Sequence, residues 1–360
     1  MKILLTGGGS LGPVTPLLAL VEAWKKKYPK TLFVWVGTTY GPEKTLIEKE
    51  GIPFFVLPTA RLPRYPSFEW MLFPWRFFSA LFLARSLLKK ERPDFIASAG
   101  GFTSVPLVLM GRVQKIPSWI HQQDAVPLLT TRLLTPFVSL MTVAWPFLLP
   151  FFSQRKTVVI GNPVRASLFE GDVPRAIASF GLQKEKPTIL VTGGGGGAVW
   201  LNDQMVHLGS WFVSRANVIH LTGKGKMDIR LQAFGSSYFV TEFLEEKMAD
   251  ALALADLVIS RGGMGAITES AALGKPTIFI PLPHSPQEKN VAFLEEQNAA
   301  IVLHQDMATP ENIKELIESL LQDELKRHAL GLSLHRLLPT DIGEKLVDLL
   351  QKTFSKTKTS

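Results

Sequence analysis

The chain has 360 residues, 46% of them hydrophobic and 19% charged, and no cysteine. That length and apolar content fit two globular domains, and the missing cysteine excludes disulfides, thiolate chemistry and cysteine-ligated metal. A net charge of +8 favours an acidic partner, whether nucleotide, pyrophosphate, anionic membrane or nucleic acid, but no basic stripe interleaved with aromatics supports nucleic acid.

The opening run, MKILLTGGG, lacks the long apolar core and cleavage site of a signal peptide. Lys2 to Thr6 reads as a buried strand, GGGSLGPVTP (7–16) as a glycine turn, and Leu17 to Lys27 as a helix. Strand, glycine turn and helix form the nucleotide-fold pattern, although the spacing is neither GxGxxG nor a P-loop. Thr31 to Gly37 and Phe54 to Leu57 are predicted strands around a helix from Pro42 to Glu50.

Residues 68–90, FEWMLFPWRFFSALFLARSLLKK, crowd aromatics and leucines between Arg76, Arg85, Lys89 and Lys90. The longest uncharged run, Phe77 to Ala84, is far below the ~20 residues of a membrane span. Two readings stand: a helix buried in the core, or an interfacial helix on a membrane. Basic neighbours for the second are Lys25, Lys26, Lys27, Arg61 and Arg64.

Pro93 to Ala97 is a predicted strand leading to GGF (100–102) and a helix through Met110. Pro117 to His121 is another, ending in HQQDAVPLLTTRLL, where Asp124 is placed to cap the next helix. Leu133 to Phe152 is uncharged and about a bilayer long, but Pro136, Pro146 and Pro150 interrupt it. VSLMTVAW within it reads as a buried parallel strand, centred on Met141 to Trp145. Val158 to Ile160 closes this half, and GNPVR (161–165) turns the chain out of it.

The pattern then restarts. Thr188 to Thr192 is a strand, followed by GGGGGA (193–198) and a helix through Val206. Five glycines in a row suit backbone wrapped round a ligand, most simply a diphosphate. Val218 to Leu221 ends at GKGK (223–226), and Tyr238 to Val240 runs into EFLEEKMADALALA. ADLVISRGGMGAITESAALGKPTIFIPLP (255–283) contains strand Leu257 to Ser260, turn Arg261 to Gly265, helix Ala266 to Leu273 and strand Thr277 to Ile280. The helix start suits a phosphate, and Glu269 one turn on can hold a ribose diol. The plainer reading of the same stretch is a βαβ corner with a solvated glutamate. PLPHSPQEKN (281–290), a helix, strand Ala300 to Leu303, and helices at Pro310 to Leu321 and Gly343 to Phe354 follow, before a disordered KTKTS tail. The prediction is two parallel α/β domains with ligands at the carboxyl ends of their strands and a cleft between them.

In order, GGGSLGPVTP, SAGGF, HQQD, GNPVR, GGGGGA, GKGK, TEFLEEKMADALALADLVISRGGMGAITE and QEKN cover nearly the whole chain. Together they resemble the bacterial MurG family, the UDP-N-acetylglucosamine–N-acetylmuramyl-(pentapeptide) pyrophosphoryl-undecaprenol N-acetylglucosamine transferases. The resemblance implies a GT-B glycosyltransferase fold: two Rossmann-like domains, residues 1–162 and 163–341, with an interdomain cleft and the helix at 343–354 returning to the first. It implies inverting transfer of GlcNAc from UDP-GlcNAc to the muramyl hydroxyl of lipid I, with no metal or cofactor. The enzyme is expected as a peripheral protein on the cytoplasmic face of the inner membrane, held to anionic lipid through the Phe68–Leu88 region.

By position, the resemblance implies that Glu269 holds the ribose and that Leu244, after Phe243, presents backbone to the uracil. Gly194, Gly195, Gly196 and Gly197 and the helix start at Met264 and Gly265 take the diphosphate, with Arg165 nearby as a positive group. Gln287 contacts the sugar, and Asn290 of the same motif is among the substrate-binding residues. Gly8, Gly9, Ser10 and Gly12, with Gly100 and Gly101, face the acceptor pyrophosphate.

The chain departs from the family where the chemistry is most demanding. Pro13 stands where the family has the histidine suspected as general base, and proline cannot accept a proton. Gly195 replaces the serine of a GGSQGA-like run, and Pro286 precedes Gln287. Asp124 puts a carboxylate where the family has a neutral amide and is the favoured replacement base, and His121 is the second candidate. The alternatives are transfer to another lipid acceptor such as diacylglycerol, a UDP-GlcNAc 2-epimerase, and a nucleotide-sugar-binding homologue without catalysis.

Overall fold

The computed structural model describes residues 1–39, 41, 43–58, 69–244 and 246–355. The KTKTS tail, Pro42, Arg61, Arg64 and Phe68, all named above, lie outside the described residues. The chain forms two units, Met1–Arg165 with Ile342–Ser360, and Ala166–Asp341.

The first unit contains β1 (Lys2–Thr6), α1 (Thr15–Lys27), β2 (Leu32–Gly37), α2 (Glu43–Lys49), β3 (Phe54–Val56), α3 (Glu69–Glu91), β4 (Phe95–Ser98), α4 (Ser104–Val113), β5 (Ser118–Gln122), α5 (Leu129–Leu134), β6 (Leu140–Val143) and β7 (Thr157–Val159). All seven strands are parallel, in the order β3-β2-β1-β4-β5-β6-β7. The inner strands are continuous apolar runs because a parallel sheet is covered on both faces. The span-like stretch 133–152 is thereby divided among the end of α5, the buried strand β6 and a 3-10 turn at Pro146–Phe151.

The second unit contains α6 (Val173–Phe180), β8 (Thr188–Thr192), α7 (Val199–Arg215), β9 (Asn217–Leu221), β10 (Tyr238–Thr241), α8 (Met248–Leu254), β11 (Leu257–Ser260), α9 (Met264–Ala272), β12 (Thr277–Phe279), α10 (Pro286–Glu296), β13 (Ile301–Val302), α11 (Pro310–Gln322) and α12 (Glu324–Leu337). Its parallel order is β10-β9-β8-β11-β12-β13. The last helix, α13 (Gly343–Ser355), belongs to the first unit. Its Leu346, Val347, Leu350 and Phe354 join the core formed by α1 and the sheet, and the Phe354 ring stacks on Phe95 at 4.6 Å between centroids. Lys26 and Lys27 of α1 pair with Glu344 and Asp348.

Two local expectations change. Asp124 does not cap the following helix: α5 starts at Leu129 with Leu128 as its cap, because residues 123–128 continue as loop. The core-helix reading of α3 also fails. Ala80, Ala84 and Leu88 form a buried stripe at helical spacing, while Trp75, Phe78 and Phe82 on other faces are 79%, 67% and 75% exposed. An apolar surface of this kind marks an interaction face.

Candidate active site

Each sheet reverses its strand order at one point, and ligands of such sheets sit there, beyond the carboxyl ends of the strands. In the first unit this point lies between β1 and β4, and in the second between β8 and β11. The GGG turn at 7–9, the GG turn at 100–101, the GGGGG turn at 193–197 and the RGG turn at 261–263 each leave one of these four strands. In the first unit, Gly101 has φ +94 and a Cβ there would come within 3.4 Å of the Gly8 backbone, so the two turns touch. Gly8, Gly9, Ser10, Gly12, Gly100 and Gly101 are therefore brought together.

The HQQD segment follows the adjacent strand β5. His121 is buried, with Nε2 2.8 Å from Asn162 Oδ1 and Nδ1 2.9 Å from Thr142 Oγ1. An amide oxygen only accepts, so Nε2 carries the proton and Nδ1 accepts from Thr142. Desolvation pushes the imidazole pKa down to about 4. The ring thus ties β5 to β6 and to GNPVR, and neither nitrogen is offered to a substrate. Asp124 is half-buried in the bend beyond β5. Arg165 ends the first unit, half-buried.

In the second unit the GGGGGA turn folds on the GKGK turn. Gly197 has φ +66, and a Cβ there would lie 2.2 Å from the Thr222 carbonyl oxygen. Lys226 Nζ donates to the carbonyls of Gly196 and Gly197 at 2.8 and 3.3 Å. Below them, Asn202 of α7 donates to the carbonyls of Thr222 and Lys226, and its Oδ1 accepts from His220. Gly194 and Gly197 are left-handed, and Gly194, Gly196 and Gly265 have open space where a side chain would stand.

The RGG turn enters α9 through Gly263, which as a glycine brings no capping side chain of its own to the helix's first turn. The amides of such a turn suit an anion. Met264 is buried, and Glu269 is half-buried one turn on. Gln287 lies against the turn: a Cβ on Gly262 would be 3.1 Å from its carbonyl oxygen, and one on Gly263 3.9 Å from its Nε2. Asn290 sits beneath, fully buried, and donates to the Gly262 carbonyl at 3.3 Å. It shapes the turn from within. Leu244 is buried, while Phe243 is 36% exposed.

Two residues that sequence reasoning missed stand out. Arg261 is only 6% exposed and donates to the carbonyls of Ile280 and Pro281 and to Gln305 Oε1. Glu43 is fully buried behind the first glycine turn and accepts from Gly9 N–H, Thr38 N–H and the Thr38 hydroxyl. Burial is their distinguishing property, and the only local signal for Glu43 is the glycine at Gly8 and Gly41 that makes room for its carboxylate.

The buried histidines predict an acid limit to stability. His220 resembles His121: desolvation takes its pKa down to about 4. The unfolded chain titrates near 6.5, so between about pH 4 and 6.5 it binds more protons than the folded chain. Stability is full above pH 6.5 and falls toward pH 4, by roughly 3 kcal/mol per histidine. Urea melts at pH 7 and pH 4.5 should differ accordingly, and His121→Gln should flatten part of that slope.

Models of the glycosyltransferase family 28 N-terminal and C-terminal domains match residues 3–142 and 188–333. The UDP-N-acetylglucosamine–N-acetylmuramyl-(pentapeptide) pyrophosphoryl-undecaprenol N-acetylglucosamine transferase of Lachnospira eligens is 34% identical over 97% of this chain and 98% of its own. The crystal structure of Acinetobacter baumannii MurG matches at 26% identity with a TM-score of 0.71, over 98% of this chain and 99% of that one. The UDP-GlcNAc 2-epimerase of Neisseria meningitidis, at 15% identity and TM-score 0.68 over 99% and 100% of the two chains, shares the fold alone. With its two parallel-sheet units in the GT-B pattern, the chain belongs to the MurG family of N-acetylglucosaminyltransferases, within glycosyltransferase family 28.

Proposed function

We propose that this chain transfers GlcNAc from UDP-GlcNAc, with inversion, to the muramyl hydroxyl of lipid I and so makes lipid II. One observation carries the donor half: the GGGGGA turn after β8 and the RGG turn into α9 after β11 leave the two strands of the switch point, and the second turn begins with a buried arginine. In the displacement, the acceptor oxygen attacks the anomeric carbon as a base removes its proton, and UDP leaves with the bond's electron pair. The turn amides and the start of α9 take the developing negative charge, Glu269 holds the ribose, Gln287 the sugar, and Arg165 adds a positive group. Asp124 is the base, since Pro13 has no acceptor and His121 is sequestered.

The test is UDP release from UDP-GlcNAc with and without a short-chain lipid I analogue in detergent. Analogue-dependent release with disaccharide product is expected, and Asp124→Asn should lower kcat by about 100-fold or more. Because Asp124 caps no helix, such a loss is not the loss of a cap. Release without the analogue would refute the acceptor, and full activity of Asp124→Asn would refute the base.

We further infer that the enzyme works at the cytoplasmic face of the inner membrane, lying on it through α3. Met71–Glu91 is long and apolar enough to span a membrane by length and composition, but its Ala80, Ala84 and Leu88 stripe is committed to the fold. The exposed face carries Met71, Trp75, Phe78 and Phe82, flanked by Arg76, Arg85 and Lys89. Aromatics with cations suit an anionic headgroup layer. Co-sedimentation with phosphatidylglycerol vesicles at low salt is expected, with most of it lost in Trp75→Asp/Phe82→Asp. A wild-type protein that stays in the supernatant would end this reading.

A further inference from the structure

Beneath the GGGGGA and GKGK turns, three buried polar side chains from different elements form one line. Asn202 of α7, His220 of β9 and Tyr238 of β10 are 4%, 0% and 6% exposed. Asn202 Nδ2 donates to the Thr222 and Lys226 carbonyls at 3.0 and 3.2 Å. His220 Nε2 is 3.1 Å from Asn202 Oδ1, and His220 Nδ1 is 2.9 Å from the Tyr238 hydroxyl.

The turn itself fixes where each proton sits. Carbonyls only accept, so the amide presents Nδ2 to Thr222 and Lys226 and Oδ1 to the imidazole. His220 Nε2 must then donate. Desolvation, which takes the pKa down to about 4, leaves the ring neutral with a single proton. Nδ1 is therefore an acceptor, and the Tyr238 O–H is its donor. All the bonds point one way, from the Tyr238 hydroxyl through imidazole and amide to the two carbonyls. Aligned hydrogen bonds in a dry interior strengthen one another.

The two carbonyls at the end of this line are where one glycine turn bears on the other. A Cβ on Gly197 would stand 2.2 Å from the Thr222 oxygen, the same oxygen that Asn202 holds. Lys226, whose carbonyl is the second acceptor, reaches with its Nζ to the Gly196 and Gly197 carbonyls. The GKGK turn is also tied to the end of β10, through Gly223 N–H to the Glu242 carbonyl and Gly225 N–H to the Glu242 carboxylate.

We propose that Tyr238, His220 and Asn202 are a positioning relay that sets the two glycine turns for the diphosphate of the donor. This rests on the donor-site reading above and deepens it with residues buried beneath the turns. Its far end is a single hydroxyl on β10, so a change there reaches the diphosphate only through the imidazole and the amide.

The test is a double-mutant cycle read by calorimetric titration with UDP and with uridine. Tyr238→Phe keeps the ring packed on Phe234, 5.1 Å between centroids, and removes only the hydroxyl. Its Kd for UDP should rise about fivefold, the worth of one hydrogen bond, while its Kd for uridine stays within about twofold. Asn202→Leu strands two buried carbonyls and should raise the UDP Kd about 30-fold. The double variant should match Asn202→Leu within about twofold, because the hydroxyl acts only through the amide. Effects that multiply, to about 150-fold, overturn the relay. Equal losses for UDP and uridine in Tyr238→Phe overturn it too. Strand β10 runs on to Phe243 and Leu244, so a merely structural disturbance would reach the base as well as the diphosphate. If wild type binds no UDP, the donor-site reading falls separately. In that case, or if Asn202→Leu does not fold, hydrogen exchange decides the relay. The Gly197, Gly225 and Lys226 amides are each hydrogen-bonded within or beside the turns. Their faster exchange in Tyr238→Phe is expected, and unchanged exchange refutes the relay.

Discussion

Arg261→Met is expected to weaken UDP binding by about 100-fold and to lower the melting temperature by several degrees. The guanidinium sits where the chain leaves β11 for α9, 6% exposed. Its partners among the described residues are neutral: two carbonyls, one amide oxygen and the Trp200 ring, whose centroid is 5.9 Å away. Desolvation lowers its pKa, but arginine remains charged. A buried cation without a counter-ion is costly on its own, and on the donor-site reading proposed above the diphosphate is what would compensate it. At ~6 Å and an effective dielectric of ~20, one unit pair is worth about 3 kcal/mol, which sets the expected factor. Calorimetric titration with UDP and with uridine separates charge from shape, since only UDP carries the diphosphate. Arg261→Lys should recover much of the UDP affinity and little of the stability, because the lysine cannot hold three acceptors in one plane. Equal losses for UDP and uridine would show that Arg261 acts only by supporting the loop.

Gly197→Ala is expected to cut kcat/KM for UDP-GlcNAc by at least about 100-fold. Two independent conditions demand glycine here. The φ of +66 costs a larger residue on the order of 1 kcal/mol. The added methyl would also stand 2.2 Å from the Thr222 oxygen and 2.6 Å from Gly223 Cα. Both contacts are backbone, so no rotamer relieves them, and the GGGGGA and GKGK turns must separate. Lys226 then loses its two carbonyl acceptors. Gly194→Ala is the comparison: its φ is +73, but nothing lies within 4 Å of the new methyl. Its cost should be mostly conformational and its effect markedly smaller. Steady-state kinetics on the two variants, with circular dichroism to confirm folding, reads this difference directly; similar losses would contradict the close-approach argument.

The sheets are legible in the sequence because runs such as KILLT, TILVT and LVIS have no polar alternation, as strands covered on both faces require. Helix α12, ELKRHALGLSLHRL, escapes a sequence reading because its apolar residues do not gather on one face. The expected start of α10 falls too late, although Ser285 as cap and Pro286 as first helical residue spell it. At the site, motifs locate the turns but not the burial around them. Asn290 and His121 are in recognisable motifs, yet both spend their hydrogen bonds inside the protein. Glu43 and Arg261 owe their interest to burial and unusual partners, which only a folded chain reveals.

Helix α13 sets an order of assembly. Its Leu346, Val347, Leu350 and Phe354 close a core whose other walls are made from residues 3–140. During synthesis the ribosome must finish all of Ala166–Asp341 before that closing piece exists. The usual sequence, in which the N-terminal domain folds first, is therefore reversed for completion. The second unit can reach its native state while the first still waits with Leu17, Leu20 and Phe95 uncovered. Nascent chains halted before residue 343 should consequently hold a protease-resistant second unit and a first unit that chaperones still bind.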